Sequence, residues 1–481
     1  MRYMIGTRRQ FIQSASMTAA GFLGLQRHLK INANEKEIRK APTVTQPYQS
    51  EETKYGDLLA DPKRLLDLPA GFSYEVLSVT GDTMSDGLKT PGDPDGMAAF
   101  AGKNGKVILV RNHELSDNQT FEGPYGILNE KLGKLDPKKL YDRGHGTRPQ
   151  LGGTTNIVYD PKKRRVEKQF LSLAGTERNC AGGPTPWGTW ITCEETVSKS
   201  DEHREFDHGY NFEVPATSKI GLVDPVPLKD MGRFNHEAVA VDPASGIVYQ
   251  TEDREDGLIT RFIPNEPENL QAGGKLQAMV IKGQASCDTR NWPDKGQPRF
   301  PVEQSMEVEW MDLEDTENPC DKLRENAYKA GAAIFARGEG MWYGNNRIYF
   351  ACTSGGIAKS GQMFIYEPSP HEGTTNELNQ PGKVMLYLEP NNSQLLEYGD
   401  NLTVAPWGDI VLSEDGAKEQ YLRGITPTGK IYTLARSSYV GNSELCGVTF
   451  APNHSTLFVN IQRPGITIAI TGPWKNSPVK I

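Results

Sequence analysis

Nine acidic or thiol residues recur at the ends of short apolar stretches of this sequence, and their types are those of metal ligands. Asp95 and Glu114, Cys180 and Glu194, Glu237 and Glu252, and Asp400 and Glu414 bracket four stretches, while Glu339 opens a fifth that closes on Thr353. A sixth runs from Cys446 to Asn460. Carboxylates are hard oxygen donors suited to calcium, and one thiolate among them suits a transition metal. Gathered in a low-dielectric funnel without cations, such groups would be neutralised by raised pKa values. A mixed ion cluster resolves that conflict. Cys180 is set in Asn179-Cys180-Ala181-Gly182-Gly183, whose small residues let backbone come close to an ion or substrate. Glu444 competes with Cys446 as a ligand, and Cys193, Cys287, Cys320 and Cys352 read as structural. Arg337 stands two residues before Glu339 and should point the same way. Its planar fork fits an anionic, oxygen-rich substrate such as phosphate, and Arg254 and Arg463 are further candidates.

Other chemistries lack their residues. No HxH or HExxH histidine set supports a zinc hydrolase, and no GxxxxGK[ST] loop or GxSxG elbow is present. Six cysteines without a CxxC pair make neither a disulfide scaffold nor a zinc ribbon. The net charge of -8 leaves no basic surplus for nucleic-acid binding.

The elements that must position the ligands are hairpins. Each unit reads as marker, short strand, Gly/Pro/Asn turn, second strand and second marker, and Pro186-Trp187-Gly188 and Pro406-Trp407-Gly408 share a turn. Val, Ile, Phe, Tyr and Trp dominate the strands. Further strand-like pieces, including 157–159, 169–171, 258–263 and 364–366, lie between units. Four strands repeated six times describe an all-β fold, a six-bladed β-propeller with loop and helical insertions near 115–148 and 264–333, the latter with a helix over 319–333. A hairpin returns its second strand to the rim where the first began, so ring closure should bring all markers to one channel mouth.

Residues 1–33 read as a twin-arginine export signal: Arg8-Arg9-Gln10-Phe11-Ile12 precedes an apolar run that, at about 12 residues against the roughly 20 of a bilayer span, leaves no stable membrane span after processing. Residues 34–55 read as a linker and 56–481 as one propeller domain. The expected location is periplasmic or extracellular, reached through the twin-arginine export machinery.

Several motifs together resemble the PhoX-type alkaline phosphatases. They are Arg111-Asn112-His113-Glu114, Gly152-Gly153-Thr154-Thr155-Asn156, Asn179-Cys180-Ala181-Gly182-Gly183 with Thr185-Pro186-Trp187-Gly188-Thr189-Trp190 and Cys193-Glu194-Glu195, Phe234-Asn235-His236-Glu237-Ala238, Arg337-Gly338-Glu339-Gly340, and Asn460-Ile461-Gln462-Arg463-Pro464-Gly465. The resemblance runs from about residue 55 to the end of the chain. It implies an exported six-bladed propeller that hydrolyses small phosphomonoesters with Fe3+ and Ca2+. It further implies Cys180 as thiolate ligand to iron, Glu194, Glu252 and Glu339 as carboxylate ligands, and Arg337 with Asn156 holding phosphate. Arg463 takes the place of the family's usual histidine. Two alternatives stay open at this level: a calcium-only lactonase-type propeller, which needs neither Cys180 nor Arg337, and a non-enzymatic binding propeller that presents its insertions to a partner.

Overall fold

Alternating apolar strands broken by Gly, Pro and Asn turns cannot bury both faces alone; stacked around an axis they can. The computed structural model describes residues 48–293, 299–441 and 443–474 and realises that solution as six antiparallel blades. The expected export signal, and the linker as far as residue 47, lie outside the described residues. Residues 48–55 run along blade V, where Lys54 is ion-paired with Asp409 and its ammonium lies 5.6 Å from the Trp407 ring centre.

Blade I comprises Pro94–Ala101, Val107–His113, Gly152–Asp160 and Arg165–Thr176. In blade II, Asn179–Pro184 and Thr189–Glu194 are followed by a single further strand, Asn211–Pro215. Blade III has His236–Val241, Val248–Glu252, Ile259–Pro264 and Gly274–Ile281, and blade IV has Gly338–Gly344, Arg347–Cys352, Gln362–Glu367 and Lys383–Leu388. Gly399–Val404, Ile410–Glu414, Tyr421–Ile425 and Ile431–Ser437 form blade V. Blade VI combines Leu445–Phe450, Thr456–Ile461 and Ile466–Thr471 with the early strand Ser73–Val79, so both ends of the propeller share one sheet and close the ring. The first strands of the blades contact one another in cyclic order around the axis.

Three features depart from the regular reading. Blade II lacks a fourth strand among the described residues, because Pro215, Pro225 and Pro227 remove ladder donors from the segment that would form it. The stretch 264–333 is not wholly an insertion: Gly274–Ile281 completes blade III, and Ser305–Asp312 continues the sheet edge to edge into blade IV through Lys383–Leu388. Its helix α1 is shorter than expected, Leu323–Ala330, ending at Gly331, whose φ is 123°. The 115–148 insertion carries three short 3-10 turns.

Apolar clusters fill the spaces between blades. Phe350 and Phe364 stack at 5.1 Å, and Trp407 packs on Trp474 and Phe450. Each such ring removes on the order of 2–3 kcal/mol of apolar surface energy from water. Along the axis, the buried side chains of Met97, Trp190, Met341 and Leu402 line a small cavity.

Candidate metal centre at the channel mouth

Every blade breaks its first hairpin at the same level. The register shifts between Pro94 and Met97, Asn179 and Gly182, His236 and Val239, Gly338 and Met341, Gly399 and Leu402, and Cys446 and Thr449. Two residues oppose one there, a β-bulge that bends the strand and re-aims a side chain. Asp95, Cys180, Glu237, Glu339 and Asp400 sit at these bulges, and in blade VI Cys446 is the paired residue just before the bulge. The ring is tight because glycines follow several of them: a Cβ on Gly340 would lie 2.4 Å from the Asp400 carbonyl oxygen, and one on Gly447 2.3 Å from that of Asp95. Both thiols point at the start of the next blade, Cys180 Sγ lying 3.3 Å from the His236 carbonyl and Cys446 Sγ 3.1 Å from that of Pro94.

A second ring comes from the ends of the second strands. The backbone N–H groups of Glu114, Glu195, Asp253, Thr353 and Asp415 donate to the carbonyls of Asp93, Arg178, Asn235, Arg337 and Tyr398, and in blade VI Gln462 donates to Glu444. The side chains of this ring meet the first: Gln462 donates to Asp95 at 3.4 Å, and Thr353 to Glu339 at 3.2 Å. The residues on the carbonyl side of these bonds form the lip.

Two carboxylate triads emerge, Asp95 with Glu114 and Glu444, and Glu237 with Glu339 and Asp400; within each, one oxygen per residue lies within 4.8 Å of the others. Burial, followed by the charges of Glu339 and Asp400, holds Glu237 well above the usual carboxylate range, and burial with Glu114 and Asp400 does the same to Asp95. Glu195 is pushed up to about 8 by burial and by Glu114. Burial, then the charge of Glu237, raises the Cys180 thiol. Asp95 Oδ1 is buried without a hydrogen-bond partner. An orphaned carboxylate oxygen inside a crowd of like charges is the condition a cation relieves, so the donor set fits bound metal.

Of the expected ligands, the mouth thus gathers Asp95, Glu114, Cys180, Glu237, Glu339 and Asp400. It does not gather Glu194, Glu252 or Glu414. Glu194 accepts the N–H groups of Glu177, Gly209 and Tyr210 and bonds His208 Nδ1 at 2.7 Å. Glu252 accepts from Leu258 and faces Arg324, and Glu414 accepts from Glu397 and from Arg423 Nε. All three tie down loops on the far side of their strands. Their successors Glu195, Asp253 and Asp415 face the mouth instead, because adjacent strand residues point to opposite faces.

Arg337 reaches the mouth, donating to Asp253 at 2.9 Å and to Glu339 at 2.8 Å. Asn156 does not: it lies buried in the third strand of blade I and donates to the carbonyls of Pro215 and Thr217. Arg463 is on the lip, its side chain 66% exposed and its guanidinium paired with Asp93. Arg254 donates to Asn235 Oδ1. Sequence reasoning missed Glu195, Asp253, Asp415 and Arg178. The acidic doublets Glu194-Glu195, Glu252-Asp253 and Glu414-Asp415 were the available signal for the three acids.

Comparison with known proteins supports the propeller fold. Residues 53–465 match the family model described as alkaline phosphatase PhoX. The structure of Pseudomonas fluorescens PhoX in complex with vanadate, a transition state analogue, superposes with a TM-score of 0.60 at 15% identity, covering 90% of this chain and 98% of that one. A Xanthomonas campestris gluconolactonase gives a TM-score of 0.34 at 11% identity (90% and 97% covered), and a Staphylococcus aureus virginiamycin B lyase 0.36 at 10% (83% and 99% covered). No curated protein matches the sequence. With the family matched over nearly the whole propeller, this chain belongs to the PhoX alkaline phosphatases, a family of hydrolases.

Proposed function

We propose that this protein is an exported, metal-dependent phosphomonoesterase acting on small phosphate esters at the propeller mouth. The observation that carries the reading is the convergence of two carboxylate triads, a buried thiol and a guanidinium at one channel mouth. The all-oxygen triad Asp95–Glu114–Glu444 suits Ca2+, and Glu237, Glu339 and Asp400 with Cys180 nearby suit Fe3+ together with further Ca2+. Bound there, such ions supply charge neutralisation for the transferring phosphoryl group and an acidified water.

The chain's own residues do the rest. Arg337, held by Asp253 and Glu339 through Nε and Nη2, presents its Nη1 to a nonbridging oxygen and orients the ester. Glu195, whose affinity for protons is raised by burial and by Glu114, can hold a proton at the mouth. Met97, Trp190 and Met341 are buried beneath it, and their apolar surroundings strengthen each charge interaction nearby. Export by the twin-arginine route, to the periplasm or beyond, belongs to the same proposal and rests on Arg8-Arg9 and the run that follows. None of the described helices is long and apolar enough to cross a membrane.

The test is turnover of p-nitrophenyl phosphate by protein exported from its own full-length gene, with and without chelator. Hydrolysis that chelation abolishes and added metal restores supports the reading. Activity indifferent to chelator, or a calcium-only protein that opens lactones and leaves phosphate esters intact, refutes it.

A further inference from the structure

Arg178 and Arg337 occupy the same place in different blades. Arg178 stands two residues before Cys180, and Arg337 two before Glu339. Both adopt left-handed backbone, with φ of 49° and 54°, a conformation that a long side chain keeps only where its surroundings impose it. The carbonyl of each accepts an N–H from the end of its blade's second strand, from Glu195 at 2.9 Å and Thr353 at 3.1 Å. Each guanidinium also joins one carboxylate of its own blade to one of the blade before. Arg178 is paired with Glu195 and, at 2.7 Å, with Glu114, as Arg337 is with Glu339 and Asp253.

Arg178 pairs with both carboxylates through Nη2 and donates Nε to the Glu195 backbone carbonyl, Arg337 uses Nε and Nη2 for its two carboxylates, and in both Nη1 has no hydrogen-bond partner among the described residues. The side chains are 38% and 37% exposed, so each keeps a donor edge open to the mouth. Burial, then the charges of Glu114 and Asp253, raise Glu195. Ion pairing alone would not require two such outward-turned forks at matching positions.

We infer that Arg178 is a second phosphoryl-binding residue, its Nη1 donating to a nonbridging oxygen of the same group that Arg337 holds. This rests on the phosphomonoesterase reading and deepens it. A monoester dianion offers three nonbridging oxygens, enough for two forks and the metal centre, whereas a diester offers two. The paired arginines therefore select monoesters.

The experiment compares full-chain, metal-loaded wild type with Arg178→Gln and Arg178→Lys. It measures kcat/KM for p-nitrophenyl phosphate and bis(p-nitrophenyl) phosphate, orthophosphate binding by calorimetry, and metal content. Loss of one charge-assisted contact predicts a fall of about 10- to 100-fold in monoester kcat/KM and a matching weakening of orthophosphate binding for the Gln variant. Arg178→Lys falls between, diester hydrolysis changes less than about threefold, and metal content holds. Orthophosphate affinity unchanged in both variants overturns the inference. So does metal loss in both variants that accounts for the whole activity loss, which would make Arg178 a support of the acidic ring. Arg178-dependent orthophosphate binding by a wild type that cleaves neither ester would support the inference and count against the phosphatase reading alone.

Discussion

Glu194 and Glu195 are consecutive and serve opposite sides of one strand: Glu194 takes three backbone N–H groups behind the blade, while Glu195 is paired with Arg178 at the mouth. The same division recurs at Glu252-Asp253, where Asp253 holds Arg337 while Glu252 caps a loop. One face of the strand builds the scaffold and the other builds the funnel.

That division predicts different failures for two neighbouring substitutions. Glu194→Gln leaves His208 and a loop without their buried anion and should cost about 2–4 kcal/mol of stability, read as a lower Tm or denaturant midpoint. Glu195→Gln should leave the midpoint within about 1 kcal/mol and lower metal content and phosphatase activity together. The reverse pattern would place the functional face on the wrong side of the strand.

His208 gives a pH signature of the scaffold. Although burial alone would lower it, the charge of Glu194 and the bonds to Asp142 and Glu194 raise it from 6.5 to about 10. A raised histidine contributes its stability in full below about pH 6.5 and loses it as pH climbs toward 10. The stability difference between wild type and His208→Gln should therefore shrink from pH 6 to pH 10. A difference that stays constant across that window would mean that folding leaves the proton affinity of His208 unchanged.

Removing cations should expose the repulsion stored in the two triads. Chelated protein is expected to melt at lower temperature than the metal-loaded form, with calcium restoring most of the loss by mass action. Melting curves that superpose with and without chelator would argue that the triads hold no ion.

Gly340 tests the closeness of the ring itself. Its added Cβ would meet the Asp400 carbonyl at 2.4 Å, backbone that cannot give way without separating blades IV and V. Gly340→Ala should therefore lower both thermal stability and metal content, whereas Gly105→Ala, with open space around it, should change metal content little.

Much of this was legible in the residues. The hairpin repeats, the ring they imply, and the convergence of Asp95, Cys180, Glu237, Glu339 and Asp400 followed from strand composition and marker type. The second ring was legible only in part, because its phase depends on hairpin length. The loop after Gly344 has two residues, that after Pro184 five and that after Val241 six, so a nearly constant spacing from the first marker lands on Glu194 and Glu252, one residue short. A slip of one residue changes the face. Asn156 was reached by motif resemblance alone, and its amide is spent on the carbonyls of Pro215 and Thr217. Arg178 escaped notice because its role depends on left-handed backbone that no spacing rule reveals.

The most direct test of the central claim, that the propeller mouth is a cation cluster, is elemental analysis of the exported protein beside its Cys180→Ala and Glu339→Gln variants. The account predicts several bound ions per wild-type chain, iron lost on Cys180→Ala, iron and calcium both depleted on Glu339→Gln, and far-ultraviolet circular dichroism unchanged in each. Wild-type protein without stoichiometric metal, or variants that keep the full complement, would contradict it.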